Sequence, residues 1–448
     1  MKRTTIKAKD IHSTLEKHML VDGFHLAVDL EKSHGSWLYD ALKEREILDF
    51  YSYFASLPIG HNHTKLEEDE EFLLSLKRAA IANPSNSDIY TSQLAAFVDT
   101  FAHLAKPKEF SHLFFIAGGA LAVENALKAA FDWKTRTNIN HGLKESGTKV
   151  IHFEEAFHGR SGYTLSLTNT DPVKTEYFPK FDWPRIKNPK LHFPLSPSSL
   201  KKTIDVEREA LGQISRAFEQ FPNEIAAIII EPIQGEGGDN HFRGEFLREL
   251  RRIADEKEVI LIFDEVQTGL GLTGKMWAYQ HFGAVPDIVA FGKKTQVCGI
   301  MATSRLDQPA GGVFEKSSRI NSTWGGNLCD MVRSQKYLEI INEEKLIKNA
   351  HLMGERFLEG LETLAKEFDA VTNARGRGLF TAFTLPDAAI RNKVREKCWA
   401  LGLATLASWP HSLRFRPCLN VSEEEIDLAL SILRDALKAV FSINDTCQ

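Results

Sequence analysis

Two short stretches of this chain could do covalent chemistry together. One is Gly292-Lys293-Lys294, at the end of the apolar run 287-DIVAFG-292. The other is 261-LIFDEVQTG-269, where Asp264 and Glu265 close the apolar run 259-VILIF-263. Both runs read as buried strands, each delivering an ionisable side chain at its end. Desolvation there favours the neutral, nucleophilic form of a lysine amine. A lysine and a carboxylate at one mouth of a sheet are what pyridoxal phosphate requires: the lysine for a Schiff base, the carboxylate to keep the ring nitrogen protonated so that the ring accepts electrons. Lys293 is the candidate nucleophile and Asp264 its carboxylate. Lys294 would point to the other side of an extended chain, and a plain surface lysine is the alternative for both.

Four further stretches could complete such a site. In 117-AGGALAVENALK-128, Gly118, Gly119 and the amide of Ala120 stand between a strand and a helix, where free N–H groups and the helix dipole favour an anion. A tight turn is the bland alternative. In 155-EAFHGRSG-162, Phe157 offers a stacking face and Arg160 a carboxylate partner, while His158 reads as a hydrogen-bonded structural residue. Glu231 and Glu236 lie on the glycine-rich stretch 231-EPIQGEGGD-239, where a carboxylate can swing; a solvated acidic loop is the alternative. In 413-LRFRPCL-419, alternation puts Arg414 and Arg416 on one face, suited to carboxylate recognition unless the segment is merely an exposed edge strand. His61-Asn62-His63 has the spacing of a metal pair but lacks neighbouring ligands in sequence.

Nucleotide hydrolysis is a competing reading, because hydrophobic residues followed by Asp264-Glu265 also fit a Walker B strand and 269-GLGLTGK-275 nearly spells a phosphate loop. Met276 stands where that loop needs Ser or Thr for magnesium. The loop also follows the acidic strand, and no strand immediately precedes it.

The elements that must position these groups are those of an α/β chain. The runs 112–116, 148–153, 225–230, 259–263 and 287–291 are nearly continuous in apolar residues, as strands of a mostly parallel sheet covered on both faces must be. Between them run helical patterns such as 121–133, with Val123, Ala126, Leu127, Ala130 and Phe131 on one face. From about Asp330 a long helical pattern continues to residue 367, and Ser422 to Glu425 form a capping box before a last helix. The proline-rich stretch 171–200 reads as a loop-like insertion. With 448 residues, two domains are expected: a large cofactor-binding one over 60–330, and a smaller α+β one made of 1–59 and 331–448. A net charge of −5 with mixed signs leaves no footprint for nucleic acid or a membrane surface. The five cysteines (298, 329, 398, 418, 447) have no ligand spacing and read as reduced thiols. The start MKRTTIKAKD lacks an apolar targeting segment, so a soluble, cytoplasmic protein is expected.

In this order the motifs resemble the class III, fold-type I pyridoxal-phosphate aminotransferases, over about residues 30–440. GGALAVENALKAAFDWK, AFHGRSGYTLSLTNT, FPKFDWPRI, EPIQGEGGD, FDEVQTGLGLTG, DIVAFGKKTQVCG and NSTWGGN are similar to the branch that moves the terminal amine of L-lysine to 2-oxoglutarate. The chain departs from the family at Ala117-Gly118, where Ser or Thr is usual before the glycine, and at Phe157, usually Tyr. Backbone amides must then carry more of the phosphate binding. The resemblance implies pyridoxal 5′-phosphate held by Lys293, Asp264 on the ring nitrogen, and Gln267 near the phenolic oxygen. Phe157 would lie on the ring, Gly118, Gly119 and Ala120 at the phosphate, and Glu231 in the cofactor wall. It further implies that Thr323 reaches the phosphate of a neighbouring subunit, which makes a homodimer with shared sites. Arg160 and Arg414 would bind substrate carboxylates, with Gln267 beside them and Glu236 as a gate on Arg414. Other members acting on ornithine, N-acetylornithine or 4-aminobutyrate, and a racemase or aminomutase on the same fold, would use the same lysine and aspartate.

Overall fold

The structure, a computed structural model, describes residues 6–441; the start of MKRTTIKAKD, the tail SINDTCQ and with it Cys447 lie outside the described residues. At the centre is a seven-stranded sheet in the order His112–Ile116, Cys298–Ala302, Ile288–Phe291, Ile260–Asp264, Ile225–Ile230, Lys149–Phe153, Arg185–Ile186. Neighbours pair in parallel except at Cys298–Ala302, which is antiparallel to both of its partners. The five predicted strands are present.

Period-two alternation sorts the apolar runs onto the two faces of the sheet. Ile228, Ile230, Leu261, Phe263, Val289 and Phe291 enter one core. Ala227, Ile229, Ile260, Ile262, Ile288 and Ala290 enter the other, where the helix Gly119–Asn140 covers them with Val123, Ala126, Leu127, Ala130 and Trp133. Because the parallel strands share one direction, their C-terminal ends share one edge, and the crevice outside that edge is where sheets of this kind bind ligands.

Three features differ from expectation. The strand Cys298–Ala302 has no strong sequence signal, and its Gly299 is required because a Cβ would stand 2.2 Å from the Phe114 carbonyl oxygen across the ladder. The pattern from 330 to 367 is two helices, Leu328–Glu343 and Leu346–Glu367, separated where Lys345 turns left-handed at φ 56°. Both helices bury an apolar face on the same core, so the periodicity persists through the break. The stretch 171–200 is not wholly loop: Arg185–Ile186 forms the sheet's outer strand and a helix begins at Pro197.

The two ends of the chain meet. Arg45–Asp49 pairs in parallel with Leu403–Ala404, and on its other side continues a meander with Trp37–Asp40 and Val28–His34. Ser412–Phe415 lies inside a second sheet, between Phe380–Thr384 and Leu406–Ser408, so Arg414 is not on an exposed edge. The capping box is formed: Ser422 N donates to Glu425 Oε2 (2.8 Å) and Glu425 N to Ser422 Oγ (3.2 Å). Glu425 also accepts from Ser36 Oγ and Trp37 Nε1, tying the last helix to the N-terminal strands. No helix among the described residues is long and apolar enough to cross a membrane.

Candidate active site

Asp264 is the last residue of its strand, and its carboxylate is fixed from two sides. Oδ1 accepts from Val266 N at 3.0 Å, and Oδ2 lies 2.8 Å from Nδ1 of the fully buried His158. His158 Nε2 has no protein partner. The histidine is thus a hydrogen-bonded residue as its sequence context suggests, but its partner is the key carboxylate, 106 positions away.

One strand over, Lys293 leaves the sheet through an extended Gly292 and itself adopts φ 53°. Gly292 is demanded by packing, since a Cβ would sit 2.8 Å from Cys298 Sγ. The two lysines then separate. Lys293 turns into a cavity of about 690 Å³, its Nζ 3.3 Å from the Phe54 carbonyl oxygen. Lys294 is buried elsewhere and donates to the Leu57 carbonyl oxygen at 3.0 Å. Burial, helped by the Arg414 charge and opposed by Glu236 and Asp264, pushes the Lys293 amine down to about 8. Neither residue is a plain surface lysine.

Gly118, Gly119, Ala120, Phe157, Arg160, Glu231, Glu236, Gln267 and Arg414 line the same cavity with Lys293 and Asp264. Thr323 does not; it is exposed, and its carbonyl oxygen accepts from Ser85 Oγ. At one end Gly118, at φ 100° and ψ 134°, precedes the helix Gly119–Asn140 with no side-chain cap, which leaves first-turn amides for an anion. Glu231 lines the wall with both oxygens engaged, Oε1 by Phe157 N and Oε2 by Gly235 N, each at 2.9 Å. It pins two site loops together, and burial pushes its carboxyl up to about 7.

At the other end is a cluster of opposite charges. Arg414 Nη2 and Glu236 Oε2 are 2.5 Å apart, and Gln267 Oε1 accepts from Arg414 Nη1 (3.2 Å) and Arg416 Nη2 (3.1 Å). Arg416, fully buried, is anchored on Asp239 Oδ1 at 2.7 Å. Lys174 is the residue that sequence reasoning missed: its Nζ lies 2.5 Å from Glu236 Oε1. Burial alone would raise the Glu236 carboxyl, but Arg414 and Lys174 outweigh it and pull it down to about 2. Lys174 has no local pattern to mark it, since its partner is 62 positions on. Arg160 is exposed at the rim.

The nucleotide-hydrolysis reading fails on Glu265. Its oxygens accept from Ala278 N, Tyr279 N and Thr268 Oγ1 in full burial, so no free carboxylate is left to act on water. His61 pairs with Asp49 and His63 with Glu344, and no metal-holding group of three ligands occurs among the described residues.

The cavity matches the parts of pyridoxal phosphate in order. It offers uncapped amides for a phosphate, Phe157 and Val266 for an aromatic ring, a fixed carboxylate for a ring nitrogen, and a desolvated amine for an aldehyde. Independent comparisons agree. A family profile described as aminotransferase class-III matches residues 20–437. The L-lysine-epsilon aminotransferase of Mycobacterium tuberculosis is 51% identical over 432 residues, 96% of either chain. That of Streptomyces clavuligerus is 48% identical, covering 97% of this chain and 95% of its own. A solved lysine aminotransferase from M. tuberculosis, in the internal aldimine form, superposes with a TM-score of 0.95 at 50% identity, over 97% of this chain and all of that one. Fold, cavity and full-length likeness thus converge: the chain belongs to the class-III aminotransferases, and its cofactor is pyridoxal 5′-phosphate.

Proposed function

We propose that this chain is an L-lysine 6-aminotransferase. It moves the terminal amine of L-lysine to 2-oxoglutarate, giving L-glutamate and 2-aminoadipate 6-semialdehyde, which cyclises. The observation that carries the reading is the Glu236–Arg414 ion pair inside the cavity that holds Lys293. L-Lysine must present its terminal amine, with its α-carboxylate far away toward Arg160. 2-Oxoglutarate must instead place a carboxylate beside its reacting carbon. An arginine at the reaction centre suits the second substrate and would be an unpaired buried charge beside the first. Glu236 covering Arg414 in one half-reaction and releasing it in the other resolves the conflict. The lysine specificity draws on the relatives just named, which are described as lysine aminotransferases.

Pyridoxal phosphate, when bound, supplies an aldehyde for the incoming amine and a ring that accepts an electron pair. Lys293 would hold it covalently, the Gly118 to Ala120 amides would take its phosphate, and Asp264, oriented by His158, would face its ring nitrogen. Gln267 would lie at its phenolic oxygen and Phe157 against its ring. Lys293, once displaced by substrate, is the base that takes the proton from C6 of lysine. The dimer with shared sites, in which Thr323 of one subunit serves the other, belongs to this proposal. So do a cytoplasmic location and the division into 60–330 against 1–59 with 331–448.

Glu236→Ala should slow the lysine half-reaction about tenfold or more and leave the 2-oxoglutarate half-reaction within about twofold. Stopped-flow traces of each half-reaction check this, and equal losses would remove the gate. The function itself is tested by incubating the cofactor-loaded protein with L-lysine and 2-oxoglutarate and identifying both products. Ornithine, N-acetylornithine and 4-aminobutyrate serve as competing donors, and preference for any of them over lysine overturns the assignment.

A further inference from the structure

Glu236 does not rest on Arg414 alone. Its two oxygens have separate cations: Oε2 faces Arg414 Nη2 and Oε1 faces Lys174 Nζ, each at 2.5 Å. The two cations are carried by different kinds of element. The Arg414 side chain is 2% exposed and sits in the interior strand Ser412–Phe415, whereas the Lys174 side chain is 12% exposed and ends a single 3-10 turn, Pro172–Lys174, behind Glu236. Asp171 Oδ1 caps that turn by accepting from Val173 N at 3.2 Å, and Pro172 fixes its first φ, so the turn aims a flexible stem at Glu236. The ammonium also lies 5.3 Å from the centre of the Phe157 ring, a second attractive contact that holds it in place.

We infer that Lys174 is a positioning residue for the gate: it keeps hold of the Glu236 carboxylate when Arg414 is released to a substrate carboxylate. The inference rests on the gate assigned above. With Lys174 present, opening breaks one of two ion pairs and leaves the carboxylate with a partner. Without it, opening would strand a mostly buried carboxylate beside an aromatic ring, so the gate would stay shut on Arg414. Lys174 therefore favours the carboxylate-binding state, and its loss acts on the half-reaction opposite to the one that Glu236→Ala impairs. It also distinguishes substrates, because only a ligand with a carboxylate near the reacting carbon needs the gate open.

The test uses cofactor-loaded Lys174→Met, Lys174→Arg and Glu236→Ala proteins, with glutarate as an unreactive dicarboxylate probe. Lys174→Met should weaken glutarate binding, measured by calorimetry, by about tenfold, the scale of one charge-assisted hydrogen bond. The half-saturating 2-oxoglutarate concentration should rise by a similar factor while the lysine half-reaction stays within about twofold. Lys174→Arg should restore glutarate binding to within about threefold of the parent. Adding Lys174→Met to Glu236→Ala should change glutarate affinity no further. Unchanged glutarate binding, or equal losses in both half-reactions, overturns the inference. If Lys174→Met lowers the melting temperature, Lys174→Gln takes its place under the same criteria. Should Glu236→Ala fail to separate the half-reactions, the gate falls and this inference with it. Should it separate them while Lys174→Met leaves glutarate untouched, only the role of Lys174 falls.

Discussion

Lys293→Ala is expected to lower L-lysine turnover by at least about 10⁴-fold, because one side chain performs two separate tasks. The first is covalent capture of the cofactor aldehyde, which needs a neutral amine. Burial brings Lys293 down to about 8, so about a tenth of the amine is neutral at pH 7 and about nine-tenths at pH 9. The second is proton transfer at the substrate carbon, for which a pKa near the working pH is the efficient value. Two measurements follow. Borohydride reduction should label residue 293 in the parent and leave no label in the variant. Small primary amines should restore part of the proton transfer in the variant, since they replace the base without restoring the tether. The pH dependence has a defined sign. Covalent reconstitution of cofactor-free parent protein should speed up about tenfold per pH unit below about 8 and level off above it, because only the deprotonated amine attacks. A label at Lys294 would reverse the assignment. The structure argues against it, since the Lys294 amine is taken by the Leu57 carbonyl oxygen outside the cavity.

What was legible in the sequence followed from how local each signal is. The strands ending at Asp264 and Phe291 are apolar on both faces, so four or five consecutive apolar residues suffice to mark them, and an ionisable side chain at or just past each end marks the mouth. Gly118 caps and Gly119 opens a helix that starts three residues after a strand ends. Contacts made across the fold left no such mark. His158 and Asp264 are joined only because the strands Lys149–Phe153 and Ile260–Asp264 flank the same neighbour, Ile225–Ile230, and end on one edge. The Arg416–Asp239 pair beneath Gln267 joins the residue just past the interior strand Ser412–Phe415 to the glycine-rich stretch that follows Ile225–Ile230. Lys174 is the clearest case, because a charge in a proline-rich stretch resembles any solvated loop until Glu236 is folded against it. The strand Cys298–Ala302 was hidden for a different reason: Gly299 weakens its strand signature, and the tight approach of Phe114 that requires the glycine is a property of the assembled sheet.

Asp264→Ala should reduce both half-reactions by about 10³-fold, and by similar factors. A charged ring nitrogen in a desolvated site needs a fixed anion, and removing one partner of a buried pair of this kind costs about 3–5 kcal/mol. Both half-reactions draw on the same ring, so the loss has no reason to favour one substrate. That symmetry separates Asp264 from Glu236 and Lys174, whose variants should affect opposite halves. Stability must be separated from catalysis, because the alanine variant also leaves His158 Nδ1 without its partner in full burial, at a cost of about 1–3 kcal/mol. Asp264→Asn provides the separation. Its amide oxygen can still accept from Val266 N or His158, so melting should stay near that of the parent, yet it carries no negative charge to hold the ring proton. The asparagine variant should therefore be nearly as slow as the alanine variant. A cofactor analogue methylated on the ring nitrogen, whose positive charge cannot be lost, should recover a large part of the rate in both. An Asp264→Asn enzyme within about tenfold of the parent would mean that geometry rather than charge is what this residue provides.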